Sequence, residues 1–321
     1  MDRYEEPFVR PQAVTSSQTS PEPVKTIRHN RGLLSYQQMR QVWGILFVLP
    51  ALLFFIGFRL YPMIRAVEIS FQQYDLLSPG RLIGLANYEY VLTNAQTLQS
   101  FKVTFIFIIV QTIPMVILSL ILALVLNEVR RFRRFYELTL YSPVIMTMVV
   151  ASLIWLTLYY PRSLFDQIVE PVAPLGLPWL TDSNLALASV VAVDLWKSTG
   201  YYMVIFLAGL LAIPGEYYEA AKLDGAAYFQ RFRYVTWPLL KPQTLFVIVI
   251  SLINTLQAFD SFYILTGGGP GDATRVLAIQ IFQRGFQFFQ MGRAAAISIL
   301  MFLILIVLTL VQLRVLRTED D

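Results

Sequence analysis

Residues 216–242 read EYYEAAKLDGAAYFQRFRYVTWPLLKP, a polar stretch set between long apolar ones. Its spacing predicts two short helices. Pro214 and Gly215 open the first, with Glu216 and Glu219 near its N-terminal end, where the helix dipole favours negative charge. Asp224-Gly225 closes it, because glycine accepts the left-handed backbone that ends a helix. The second is expected from Ala226 toward Thr236. Pro238 is expected to stop it, since proline offers no N–H and clashes with the preceding turn. Tyr228, Phe232 and Val235 share one face by helical spacing. Ala220, Ala221, Gly225, Ala226 and Ala227 form a small-residue shoulder that another backbone can approach. Such a hairpin is shaped to be gripped.

Outward from this stretch the chain turns apolar. Of its 321 residues 56% are hydrophobic and 14% charged, with mean hydropathy +0.57. A soluble chain carries about 25% charged residues, so the deficit implies a polytopic membrane protein. Cysteine is absent and His29 is the single histidine. That excludes a disulfide framework, a thiolate metal site or nucleophile, and most zinc or Ser-His chemistry. No catalytic residue and no metal site are expected. The net charge of +4 is modest and its basic residues flank apolar runs, a topology signal rather than a nucleic-acid footprint.

The apolar runs are Val42–Leu60, Val103–Leu126, Leu138–Tyr160, Leu185–Leu211, Leu245–Leu265 and Ala294–Leu313. Each is long enough to cross about 30 Å of hydrocarbon as a helix. Arg28, Arg31 and Arg40 precede the first, Arg130, Arg131, Arg133 and Arg134 follow the second, and Lys222, Arg231, Arg233 and Lys241 lie between the fourth and fifth. Arg314 and Arg317 follow the last. With six crossings all of these fall on one side, and the excess of Lys and Arg makes that side cytoplasmic. The expected fold is therefore an all-α integral membrane protein with six transmembrane helices, both termini cytoplasmic, and the hairpin between spans four and five. Residues 1–32 form a polar tail expected to be disordered, 33–315 the membrane domain with the hairpin at 214–242, and 316–321 a second cytoplasmic tail.

Two sets of polar residues interrupt the spans. Asp194, Lys197, Ser198 and Tyr201 lie at i, i+3, i+4 and i+7 in the fourth, on one helical face. A charge at mid-membrane costs about 2.5–3.5 kcal/mol, so Asp194 and Lys197 are expected to face the bundle interior and neutralise one another. Either they are a structural ion pair or they line a polar path. In the fifth span Asn254, Gln257 and Ser261 share a face, with Thr255 and Asp260 beside them. They are interhelical hydrogen-bonding groups or path residues. Gln111, Pro114 and Pro143 are expected to be kink and packing features.

Glu219-Ala220-Ala221, Asp224-Gly225-Ala226 and the run from Val235 through Trp237-Pro238 to Pro242 together resemble the EAA loop of ABC importer permeases. The resemblance covers roughly residues 42–315. In that family the loop is a coupling helix docked in a cleft of the ATPase, which implies this role for Glu219, Ala220, Ala221, Asp224, Gly225 and Pro238. The turn Thr266-Gly267-Gly268-Gly269-Pro270-Gly271-Asp272-Ala273-Thr274 is similar to that of the carbohydrate-importer branch. So are Gly84-Leu85-Ala86-Asn87-Tyr88 and the segment from Gly292 to Ser298.

The resemblance implies a permease subunit translocating a sugar or related polyol by alternating access, in the plasma membrane of a bacterium or archaeon. It implies ATPase subunits that bind ATP and magnesium, a second permease and an extracytoplasmic binding protein. This chain has no GxxxxGK[ST] phosphate loop, so no cofactor of its own is expected. The rival reading is an ion-driven secondary transporter with Asp194 and Lys197 as its relay.

Overall fold

The structure is a computed structural model and describes residues 36–129, 131–161, 163, 167–168 and 176–317. The expected tail 1–32 lies outside the described residues, as do residues 318–321 of the second tail. Contacts divide the chain into two units, residues up to Phe58 and residues from Arg59, each taken by itself. The first unit's described part is helix α1, Tyr36–Phe55, with exposed apolar side chains along its length.

The second unit is mostly helical. Its elements are α2 (Tyr61–Ser70), a short hairpin pairing β1 (Gln72–Gln73) with β2 (Arg81–Leu82), α3 (Ala86–Thr93), α4 (Ala95–Glu128), α5 (Arg133–Ile145) and α6 (Met148–Leu158). Then come α7 (Leu185–Ala212), α8 (Gly215–Leu223), α9 (Tyr228–Leu239), α10 (Lys241–Leu256), α11 (Asp260–Leu265), α12 (Leu277–Phe282) and α13 (Met291–Arg317). Among the described residues four helices are long and apolar enough to cross a membrane, or up to six if each of two bent pairs is one span.

The expected second, fourth and sixth spans are continuous helices. The second begins early, at Ala95, where the Asn94 side chain accepts the Thr97 N–H at 3.0 Å. The third and fifth are not continuous. The run Leu138–Tyr160 breaks at Met146-Thr147, whose backbone is extended, and α5 and α6 meet at 96°. Pro143 removes a donor from the last turn of α5, and Thr147 caps α6 through the Val150 N–H at 3.3 Å. The run Leu245–Leu265 breaks after Leu256, and Phe259 is non-helical at φ −129°. Mean hydropathy over a whole run does not register such breaks, because the few polar residues beside them, Thr147, Gln257 and Asp260, are outweighed by apolar neighbours.

The main core joins α4 to α7. Met115, Leu120, Ala123 and Leu126 pack against Tyr202, Met203, Phe206, Leu207 and Leu210, with Leu240 and Val247 closing one side. Glycines set the approach of α7. A Cβ on Gly200 would lie 2.3 Å from the Leu140 carbonyl oxygen, and one on Gly209 would lie 2.7 Å from Gln243 Cγ. Small residues let helices meet this closely where no hydrophobic effect drives them together. A second cluster holds the other end, with Phe107 edge-on to Phe262 at 4.7 Å. The outer face of α13 is apolar and exposed at Phe302, Leu303, Val307 and Leu310, as a lipid-facing helix requires.

Candidate functional site

Midway along the bundle α4, α7 and α10 enclose a cavity of about 210 Å³. Helix α4 contributes Phe107, Gln111 and Met115, and α7 contributes Asp194, Lys197, Ser198 and Tyr202. Helix α10 supplies Ser251, Asn254 and Thr255, with Ala258 just beyond its end. The polar groups of two separate spans thus share one small volume.

Their pairing differs from expectation. Asp194 and Lys197 form no ion pair. Asp194, buried, accepts instead from Ser261 Oγ of α11 at 3.2 Å. The break between α10 and α11 turns Ser261 back onto α7, which an unbroken helix would not do. For the same reason Asn254, Gln257 and Ser261 do not share one helical face. Asn254 donates to the Tyr202 hydroxyl at 3.1 Å. Gln257 is exposed at the C-terminus of α10 and does not line the cavity. Tyr201 is 38% exposed and lies edge-on to Tyr202, off the cavity. Gln111, expected as a packing feature, is buried in the cavity wall with its Oε1 unpartnered among the described residues. Its amide in the middle of an apolar span was the available signal.

The hairpin at residues 214–242 is the second site. Helix α8 ends in a Schellman motif. The Gly225 N–H donates to Lys222 O at 3.0 Å, and the Ala226 N–H to Ala221 O at 2.9 Å, with Gly225 left-handed at φ +77°. Helix α9 opens with the Ala227 N–H donating to Gln230 Oε1 at 2.7 Å. Pro238 does not stop it. A π turn over Phe232–Thr236 widens the helix ahead of the proline, and the Trp237 N–H reaches back to Phe232 O. The wider turn moves the carbonyl that the ring would strike. The helix ends instead at Leu240, bending 65° into α10. Glu219, Ala220, Asp224 and Gly225 are all exposed, and Leu223 at the tip is 90% exposed beside Phe229 and Tyr234.

The three remaining motifs are structural ties at the far end of the bundle. Asn87, buried, donates its Nδ2 to the carbonyls of Ser70 at 2.9 Å and Gln72 at 2.8 Å. Gly292 packs on the same node, where a Cβ would lie 2.0 Å from Gln72 O. In the glycine turn Thr274, fully buried, donates to Gly269 O at 2.6 Å and contacts the Thr266 hydroxyl at 2.6 Å.

Apolar spans around a polar mid-length cavity, with an exposed two-helix knob at one end, define a polytopic membrane transport subunit. The comparisons agree. Residues 98–318 match the family described as binding-protein-dependent transport system inner membrane component. The chain is 34% identical to the trehalose/maltose transport system permease protein MalF of Thermococcus litoralis, covering 87% of this chain and 95% of that one. It is 35% identical to the sn-glycerol-3-phosphate transport system permease protein UgpA of Agrobacterium fabrum, over 84% of this chain and 92% of that one. The fold matches a chain of a bacterial alginate ABC transporter solved with a pentasaccharide-bound periplasmic protein, at TM-score 0.79 and 22% identity, covering 89% and 98% of the two chains.

The chain belongs to the binding-protein-dependent transport family and is an inner-membrane permease subunit of an ABC importer, not an enzyme. The rival reading as an ion-driven carrier is not supported: the family depends on binding proteins.

Proposed function

We propose that this subunit translocates a sugar or related polyol delivered by an extracytoplasmic binding protein, and that the cavity at Asp194, Lys197, Ser198, Asn254 and Thr255 is its share of the path. The observation that carries the reading is the chemistry of that wall: hydroxyls, amides and one carboxylate at membrane depth, matched to a polyhydroxyl solute. The names of the relatives point the same way, to trehalose and maltose, glycerol phosphate and alginate. Exposed Asn254, Gln257 and Asp260 extend the polar strip out of the cavity. Polar groups at that depth avoid lipid, so this strip faces the path or a second permease.

The topology proposed is six spans, counting each bent pair as one, with both termini and residues 214–242 cytoplasmic. Within it 1–32 and 316–321 are tails and 33–315 is the membrane domain. Glu219, Ala220, Ala221, Asp224 and Gly225 dock the ATPase, which binds ATP and magnesium. The stroke follows from connectivity. The second arm of the knob runs through Pro238 and Leu240 directly into α10, whose Ser251, Asn254 and Thr255 wall the cavity. The fourteen residues from Lys241 to Asn254 make a rigid lever of about 21 Å. Displacement of the knob when the ATPase closes therefore moves the cavity wall as a rigid body.

The test is composition. The chain, tagged at its C-terminus and gently solubilised from native membranes, should co-purify with an ATPase subunit and a second permease. Candidate sugars with their binding protein should then stimulate ATP hydrolysis. Purification of the chain alone, unchanged under cross-linking, would overturn the reading.

A further inference from the structure

A second polar cavity, of about 440 Å³, lies between the knob and the ends of the spans. Its floor is Leu124 of α4 and Leu210 of α7, and Asn127 sits on one wall. The knob closes it with Lys222 from α8 and Arg231 from α9. The Arg231 side chain has no hydrogen-bond or ion-pair partner among the described residues: its Nε is buried and unpartnered, and its guanidinium lies over the Tyr228 ring at 5.9 Å. The only carboxylate in the lining is Glu128, which is exposed. Two cations and one exposed carboxylate leave this lining with excess positive charge, and the half-buried guanidinium with donors that an anion would satisfy.

We propose that this cavity binds a phosphate-type oxyanion, and that the bound anion fixes the angle of the knob against α4. The guanidinium fork and the ammonium suit a phosphate, and the hydroxyls of Tyr218, Tyr228 and Thr236 line the same space. Two sources carry that chemistry: the headgroup of an anionic phospholipid or a free phosphate ester. The place favours the headgroup. The floor is where the apolar spans end, and Arg131, Arg133 and Arg134 follow α4 directly, a basic flank of the kind that gathers anionic lipid. The anion would touch both arms of the knob and the end of α4 at once, so its loss should loosen the knob rather than unfold the bundle. The inference rests on the cytoplasmic placement of the knob proposed above.

The complete importer, with its ATPase and partner permease, is reconstituted in nanodiscs of phosphatidylcholine with and without phosphatidylglycerol. Lipid retained after re-extraction is counted by native mass spectrometry. In phosphatidylcholine alone, the same complex is titrated with glycerol phosphate and inorganic phosphate by equilibrium dialysis. Wild type is expected to retain phosphatidylglycerol, Arg231→Gln to bind it about tenfold more weakly, and Arg231→Lys to fall between. Arg233→Gln, two residues further on, exposed and outside the cavity, is expected to bind as wild type. If Arg231→Gln does not assemble, Lys222→Gln on the exposed arm reads the same loss. Binding of the soluble phosphates with this variant dependence, and none of the lipid, assigns the site to a free ester. Equal retention by wild type, Arg231→Gln and Lys222→Gln, with no phosphate bound, overturns the proposal. Absence of the ATPase from the purified complex would instead count against the functional reading itself.

Discussion

Gly225 isolates backbone conformation from packing in the two-helix knob. Its φ is +77°, and a Cβ built there meets nothing within 4 Å. Gly225→Ala therefore introduces no clash, only the left-handed penalty of about 1–2 kcal/mol. If the alanine escapes that penalty by leaving the left-handed region, the turn loses its two hydrogen bonds, at 3.0 Å to Lys222 O and 2.9 Å to Ala221 O. Each is worth about 1 kcal/mol, so opening the turn caps the cost near 2 kcal/mol. That is about a 5- to 30-fold rise in the population with the arms disengaged. Asparagine tolerates the left-handed region better than alanine, so Gly225→Asn should cost less. Amide hydrogen exchange of Ala226 in the assembled importer measures the opening, and solute moved per ATP hydrolysed measures its consequence. Exchange should accelerate in the order wild type, Asn, Ala, with coupling falling in the same order. Unchanged exchange in Gly225→Ala, or an asparagine variant as impaired as the alanine one, would refute the argument.

Gly292→Ala should cost about 1–3 kcal/mol or more, because its Cβ would meet a backbone oxygen at 2.0 Å that cannot swing aside. Gly285→Ala, which meets only ordinary contacts from 3.4 Å, should be near neutral, and thermal stability of the purified subunit compares the two. Asp194→Asn should assemble normally, since its amide oxygen still accepts from Ser261, while transport falls. Asp194→Leu should also lose about 1–3 kcal/mol by leaving that hydroxyl unpartnered, read as reduced yield and melting temperature. The loop around Asp75 should carry a pH signature. Hydrogen bonds from the Ser78 hydroxyl and the Ser78 and Leu77 amides hold this exposed carboxyl below its ordinary 3.8. A depressed carboxyl stabilises the loop above 3.8, and that contribution disappears as pH falls through the lower folded value. Protection of the Ser78 amide, taken relative to its intrinsic exchange rate at each pH, should fall only in that acid range, and a midpoint above 3.8 would contradict the sign.

The hairpin at residues 214–242 is legible in the sequence because each of its determinants is local. A glycine that alone adopts φ +77°, alanines that leave a shoulder bare and a proline at a helix turn act within a few residues. Pro238 shows the limit: the sequence marks a disturbance there, but the π turn that absorbs it depends on the helix being held at both ends. Gln111 was passed over because a lone amide in an apolar span looks alike whether it faces a neighbour or a cavity. Helical spacing puts Tyr201 on the face of Asp194, yet Tyr202 lines the cavity and Tyr201 lies off it, because spacing assigns a face, not what packs on it.

Composition and hydrophobic runs alone marked this as a membrane protein with long apolar helices and a polar hairpin between them, since hydropathy and helix punctuation are properties of short windows. Tertiary structure decided how the polar groups pair. Asp194 turns to Ser261 rather than Lys197 because a break after Leu256, invisible to hydropathy, swings α11 back onto α7. The cavity forms where α4, α7 and α10 pack together, bringing the polar side chains of Gln111, Asp194 and Asn254 into one volume. Such pairings join residues tens of positions apart, and nothing within a single helical window specifies them.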